Sequence, residues 1–297
     1  MSGVRDSEIT AADGRVLAIQ QGGDPVGRPV LVHGGTPNSR LLYQSDAERA
    51  RRQGIRLISY DRPGYGGSTP RPDRSVADCV EDVRAIASAL GIDRLAVWGV
   101  SGGGPHALAC AALLPELVPA VASIAAIGPY GTGDYDYFSG MGELNVQDIK
   151  LFHSDRAAAR EKCARDREEM LAASPEQLIE FLRTLLSPVD VAVLSREPVE
   201  HMVRSFQSGL GPGHEGLWED NVALMEPWGF QLGSIRTPVL VRHGREDRFV
   251  PFAHGEWLAG QIPGVEAILT DDDGHLTQTE RHLESIHTWL LERLDYD

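Results

Sequence analysis

Lysine is nearly missing from this chain: of its 28 basic residues only Lys150 and Lys162 are lysines. Basic charge as a whole is short, with 43 acidic residues against those 28 and a formal net charge of −15. No basic stripe is available to neutralise phosphates, which excludes a nucleic-acid binder. An acidic surface favours solubility and discourages anionic substrates. Cysteine is scarce too. Cys79, Cys110 and Cys163 are widely spaced, odd in number and form no CxxC, which argues against a disulfide framework or a zinc site and points to the cytoplasm. No run of about 18 apolar residues occurs, so no membrane span is expected. The segment 1–8 has no apolar stretch behind a basic head, so no signal peptide is expected either. HExxH and GxxxxGK are both absent, and neither a metal nor a cofactor is expected.

What the chain does contain is 297 residues, 42% of them hydrophobic, the proportions of one α/β domain with a sizeable insertion. Short apolar runs at 29–32, 55–60, 95–100, 120–127, 238–241 and 265–270 alternate with helical patterns at 76–90, 105–117 and 277–294. Continuous apolar strands separated by helices predict a parallel sheet covered on both faces. Such sheets bind ligands beyond the carboxyl ends of their strands. The alternation breaks between about 128 and 232, where helices dominate. A charged helix is expected over 154–173, and Ser174-Pro175-Glu176 starts another. The expected organisation is a core of 1–128 and 233–297 with a helical segment, 129–232, between its halves.

The polar motifs fall at strand ends. Gly99-Val100-Ser101-Gly102-Gly103 matches G-x-S-x-G where a strand meets a helix, the context of a nucleophile elbow. The bland alternative is a glycine-rich turn with an idle serine. A dinucleotide site is a weaker rival: Gly102 to Ala107 fits G-x-G-x-x-A, but the next strand ends Ala125-Ala126-Ile127-Gly128 without an acid for a ribose. A serine needs a base. Among ten histidines His275 stands out, in Asp273-Gly274-His275 between the last strand and the final helix. His106, His243 and His254 are less well placed, and most of the histidines are expected at the surface or in packing. Asp247, in Gly244 to Pro251 after the penultimate strand, is the candidate to orient the base, with Glu246 beside it as an alternative. Asp271, Asp272 and Asp273 are expected to be a solvated charge run. An oxyanion needs two amides: Gly102 after the serine, and Gly35 or Thr36 in the His33 to Pro37 loop.

With these motifs in place, the chain resembles the α/β-hydrolase superfamily, in its lidded esterase-like and haloperoxidase-like group. The resemblance rests on His33-Gly34, Tyr60 to Ser68, the Ser101 elbow, Gly244 to Pro251 and Gly274-His275, which stand in the family order across both outer portions. It implies an α/β-hydrolase fold whose helical insertion caps the Ser101 pocket, with specificity carried by the cap. Tyr130, Tyr135, Tyr137, Phe138, Phe152, Trp218 and Trp228 are its aromatic candidates, each more readily explained by packing than by substrate contact. Dehalogenases and epoxide hydrolases of the superfamily carry Asp where Ser101 stands. Proline iminopeptidases carry His-Gly-Gly-Pro-Gly where this chain has His33-Gly34-Gly35-Thr36-Pro37. The expected activity is hydrolysis of a small ester or lactone, with a small-molecule substrate and neither nucleic acid nor membrane as partner. A lyase using the same triad and a small-molecule receptor on a hydrolase scaffold are the alternatives.

Overall fold

The computed structural model describes residues 3–132 and 134–294. Its elements run β1 (Arg5–Thr10), β2 (Val16–Gly23), β3 (Arg28–His33), α1 (Gln44–Arg52), β4 (Ile55–Tyr60), α2 (Cys79–Leu90), β5 (Ala96–Val100), α3 (Gly103–Leu113) and β6 (Val121–Ile124). Six helices follow without a strand among them: α4 (Glu143–Ser154), α5 (Arg156–Ala172), α6 (Pro175–Leu185), α7 (Pro188–Val191), α8 (Arg196–Leu210) and α9 (Glu215–Met225). The alternation resumes with β7 (Val239–Gly244), α10 (Phe252–Gln261), β8 (Glu266–Thr270), α11 (Thr277–Glu280) and α12 (Leu283–Leu294).

Eight strands form one sheet in the order β1-β2-β4-β3-β5-β6-β7-β8. From β4 to β8 every neighbouring pair is parallel, while β1 and β2 add an antiparallel edge. The period of two divides each strand between two cores. Leu31, Ile58, Val97, Val121, Val239 and Val241 meet α2, α3 and α10 on one face. Val30, Val32, Leu57, Ala96, Trp98, Ala122 and Leu240 meet Leu283, Ile286 and Leu290 of α12 on the other. Burial on both faces accounts for the unbroken apolar runs of the central strands. Helix α3 lies deepest, with every residue from Gly103 to Ala111 buried, as an all-round apolar helix should be.

The fold is the expected one, with differences at its margins. β1 reads Arg-Asp-Ser-Glu-Ile-Thr and leaves four of six residues exposed, so it carries no apolar run. α1 buries only Ala47 and Ala50. The charged helix expected over 154–173 is α5, which starts two residues later: α4 ends at Ser154, and Asp155 turns to extended backbone at φ −148° to cap α5 through its carboxylate. The final helix also breaks, into α11 and α12. No helix among the described residues is long and apolar enough to cross a membrane.

Candidate active site

Ser101 follows β5 and precedes α3, with a φ of 56°. A left-handed backbone costs a residue other than glycine about 1–3 kcal/mol, and such strain collects at functional turns. The surrounding glycines show what holds it. A Cβ on Gly99 would enter the carbonyl of Gly103, and one on Gly103 would enter the carbonyls of His33 and Gly34. The elbow therefore packs directly against the loop after β3. Gly35 in that loop is equally close, since a Cβ built there would stand 3.4 Å from the Cβ of Ser101. The Thr36 hydroxyl abuts Gly102 from the same side. Ser101, Gly102, Gly35 and Thr36 are thus neighbours, and α3 begins beneath them with its amide dipoles directed at the turn.

His275 lies beyond β8 and Asp247 beyond β7, at the same carboxyl edge of the sheet as Ser101. The His275 Nδ1–H donates to Asp247 Oδ2 at 2.7 Å. Asp247 Oδ1 accepts the amides of Phe249 and Val250, both at 2.9 Å. His243 Nε2 stands 3.4 Å from Oδ2 and donates to the Val250 carbonyl at 2.8 Å. Burial pushes the Asp247 carboxyl up, but the His275 imidazole and the hydrogen bonds from both histidines outweigh it and hold the group well below the usual carboxylate range. Burial pushes His275 down, and Asp247, with a smaller contribution from Asp190, outweighs that and raises it above the ordinary imidazole value. The Phe249 ring stacks on His275 with centroids 5.2 Å apart. Glu246, the neighbouring acid, is exposed.

Two buried acids that the sequence reading passed over come from the helical insertion. Asp220 of α9 is fully buried. It accepts from Thr36 Oγ1 at 2.8 Å, from Arg62 Nε at 3.0 Å and from Tyr65 Oη at 3.0 Å, and it pairs with Arg74. Arg62 also donates to the Gly34 carbonyl at 2.5 Å. The His33 to Pro37 loop is therefore braced by a cation that Asp220 neutralises. Asp190 of α7, also fully buried, takes the backbone amides of His275, Leu276 and Thr277 at 2.8, 2.8 and 3.1 Å. Neither was marked locally: Asp190 reads as an ordinary acid in the first turn of a short helix, Pro188-Val189-Asp190-Val191, and Asp220 stands beside a second acid in Leu217-Trp218-Glu219-Asp220.

The remaining histidines are mostly internal. Seven of the ten are buried, so of the two expected roles, surface and packing, packing is the commoner. His106 donates from Nδ1 to the Gly102 carbonyl at 2.8 Å, and burial drives it down to about 3, so it stays neutral. Asp273 is buried as well, held by Thr270, Arg281 and His282, unlike its exposed neighbours Asp271 and Asp272. His33, Cys79 and Cys110 bring their ligand-type atoms within 4.8 Å of one another behind the elbow. Both thiols already have protein partners there, the His106 carbonyl at 3.4 Å and the His33 ring at 3.6 Å. Burial also pushes the Cys79 thiol well up, away from the thiolate a metal would need. Of the aromatic candidates, Trp228 belongs to the sheet core and Phe152 and Trp218 to the packing within the insertion.

The family model for the alpha/beta hydrolase fold matches residues 28–281, and the chain belongs to that family. Its relatives are hydrolases. The chain is 26% identical, over 96% of its own length and of the relative's, to a 2-hydroxy-6-oxononadienedioate/2-hydroxy-6-oxononatrienedioate hydrolase of Klebsiella pneumoniae. Solved structures share the fold at a TM-score of 0.69. One is a thermophilic esterase from Thermogutta terrifontis, 22% identical with 98% of this chain and 99% of that one covered. Another is the enol-lactonase from Burkholderia xenovorans LB400, 18% identical with 96% and 100% covered.

Proposed function

We propose that the protein is a serine hydrolase that cleaves a small, uncharged carboxylic ester or lactone through an acyl-enzyme. The observation that carries this reading is the 2.7 Å hydrogen bond from His275 to Asp247, on the same sheet edge as the strained Ser101. With Nδ1–H committed to Asp247, Nε2 of the neutral imidazole is left as the basic nitrogen. It takes the Ser101 proton as Oγ attacks the carbonyl. The Gly102 amide and an amide of Gly35 or Thr36 hold the oxyanion. The imidazolium then protonates the leaving alkoxide. A water, deprotonated by the same nitrogen, attacks the acyl-serine and frees the acid and Ser101.

The helical insertion acts in this reading as a cap. Leu178, Leu182, Val199 and Val203 of α6 and α8 cluster with Phe249 and Leu276, the residues flanking the acid and the base. An apolar cover of this kind excludes water and favours an uncharged substrate. Charge points the same way, since Arg62 and Arg74 beside the oxyanion loop are already bound to Asp220.

The relatives named for oxo-dienedioates support a second reading. A hydrolase acting on such a compound has a ketone and no ester to attack, so it must break a carbon–carbon bond beside that ketone. The same three residues would serve, but two carboxylates would need cations.

The deciding experiment treats the protein and its Ser101→Ala variant with a fluorophosphonate and locates the adduct by mass spectrometry. Stoichiometric labelling at Ser101, lost in a folded Ser101→Ala protein, is expected. Turnover of nitrophenyl esters or lactones above that of an oxo-dienedioate then separates the two substrates. An active Ser101→Ala protein overturns the mechanism. A lasting acyl adduct after one turnover replaces the enzyme with a binding protein.

A further inference from the structure

We propose that Asp190 is a positioning residue for His275: it fastens α7 of the insertion to the base loop, so that the base is in place only while α7 is docked. The inference rests on the hydrolase reading above and extends it to a residue outside the triad.

The case is one of complete pairing. A carboxylate offers about four lone-pair sites, and Asp190 fills all four. Oδ2 accepts from the His275 amide at 2.8 Å and the Ser187 hydroxyl at 3.0 Å. Oδ1 accepts from the Leu276 amide at 2.8 Å and the Thr277 amide at 3.1 Å. Three consecutive amides, beginning with that of the base itself, converge on one fully buried side chain from another part of the chain. Only Gly274 permits the approach, because a Cβ there would collide with the Asp190 carboxylate. The other anchors of the loop lie to either side of the His275 amide: the Asp273 carbonyl accepts from the Glu246 amide at 3.0 Å and its carboxylate is held by Thr270, Arg281 and His282, Gly274 donates to Thr277 Oγ1 at 2.7 Å, and the imidazole reaches Asp247.

The charge matters beside the geometry. The groups facing His275 are Asp247 from the loop after β7, with His243 behind it, Asp190 from α7, and Asp273 within the base loop. Asp273 is occupied by Thr270, Arg281 and His282. Asp190 thus gives the base a second negative neighbour in a low-dielectric setting, favouring the imidazolium that forms as Ser101 attacks. Asparagine cannot take over. One of its two terminal atoms is a donor, and it would face either the His275 amide or the amides of Leu276 and Thr277.

The test follows the fluorophosphonate labelling rate at Ser101 from acid to alkaline pH in the wild type, Asp190→Asn and Leu178→Ala. Asp190→Asn should label about tenfold or more slowly at its plateau, since small misplacements of a base cost this much. Its acid limb should also move to lower pH, because the imidazolium has lost a stabilising charge. Leu178→Ala loosens the same insertion without touching the carboxylate and should keep the wild-type limb. A wild-type rate and limb in Asp190→Asn overturn the positioning role while leaving the hydrolase reading intact. A wild type unlabelled at Ser101 overturns the hydrolase reading and this role with it. If Asp190→Asn does not fold, Gly274→Ala replaces it. That change separates loop from carboxylate with the charge kept, so the plateau should fall, and an unchanged plateau refutes the proposal.

Discussion

At the scale of single residues the pH behaviour follows from one pair. In the proposed mechanism His275 serves as a base only when neutral, and its pKa is raised above the ordinary imidazole value. Activity should therefore fall away on the acid side at a pH above the ordinary imidazole value, which a profile of kcat/KM will show. Asp247→Asn removes the main cause of that rise, so its acid limb should lie lower. Its rate should drop by roughly 10⁴, the loss seen when this acid is neutralised in the serine-protease triad. The same pair has a stability signature. The depressed Asp247 stabilises the fold above the ordinary carboxylate range and ceases to as pH falls through its folded value. The raised His275 contributes below the ordinary imidazole value and ceases to as pH rises through its own. Urea midpoints of wild type and Asp247→Asn should differ most in mildly acid solution, where both contributions are present, and the gap should narrow without closing in alkali, where only that of Asp247 remains. The placing of Ser101, Asp247 and His275 at one sheet edge was legible in the sequence because each stands in a short motif at a strand end. Asp190 and Arg74 were not, because their partners lie 85 to 87 and 146 residues away along the chain. No local pattern carries a contact of that span.

At the scale of elements, what sequence shows well is the start of a helix. Ser174 is read directly as a cap, and the structure has the full reciprocal pair: Gln177 N donates to Ser174 Oγ at 3.2 Å and Ser174 N to Gln177 Oε1 at 2.9 Å. Ser174→Ala should cost about 1 kcal/mol, seen as faster hydrogen exchange in the first turn of α6 and a lower midpoint for the insertion. Interruptions are harder to read. Asp155 looks like one more polar residue of a charged helix, yet its carboxylate caps α5 and resets the chain. Between α11 and α12, Arg281 and His282 turn to the buried Asp273, a demand placed by tertiary structure on residues that would otherwise continue a helix.

For the molecule as a whole, the central sheet was the most legible part because its strands are apolar on both faces. The edge strand β1, polar and half-solvated, gave no such signal. The way the insertion meets the core was invisible beforehand, and it depends on buried charge. Asp220 joins α9 to Arg62 and Arg74, and burial of all three makes the network intolerant of losing one member. Asp220→Ala should lower global stability by about 3–5 kcal/mol, the usual cost of stranding a buried charge, as measured by denaturant unfolding. It should also slow labelling of Ser101, since the Thr36 loop loses its brace. The shortage of lysine has a practical corollary. Lys150 stands on α4 and Lys162 on α5, so a side-chain amine reagent marks the insertion and leaves the sheet untouched. If the insertion is the cap proposed above, a fluorophore attached there would report its movement, and a resin coupled there would hold the enzyme by the cover of its own site.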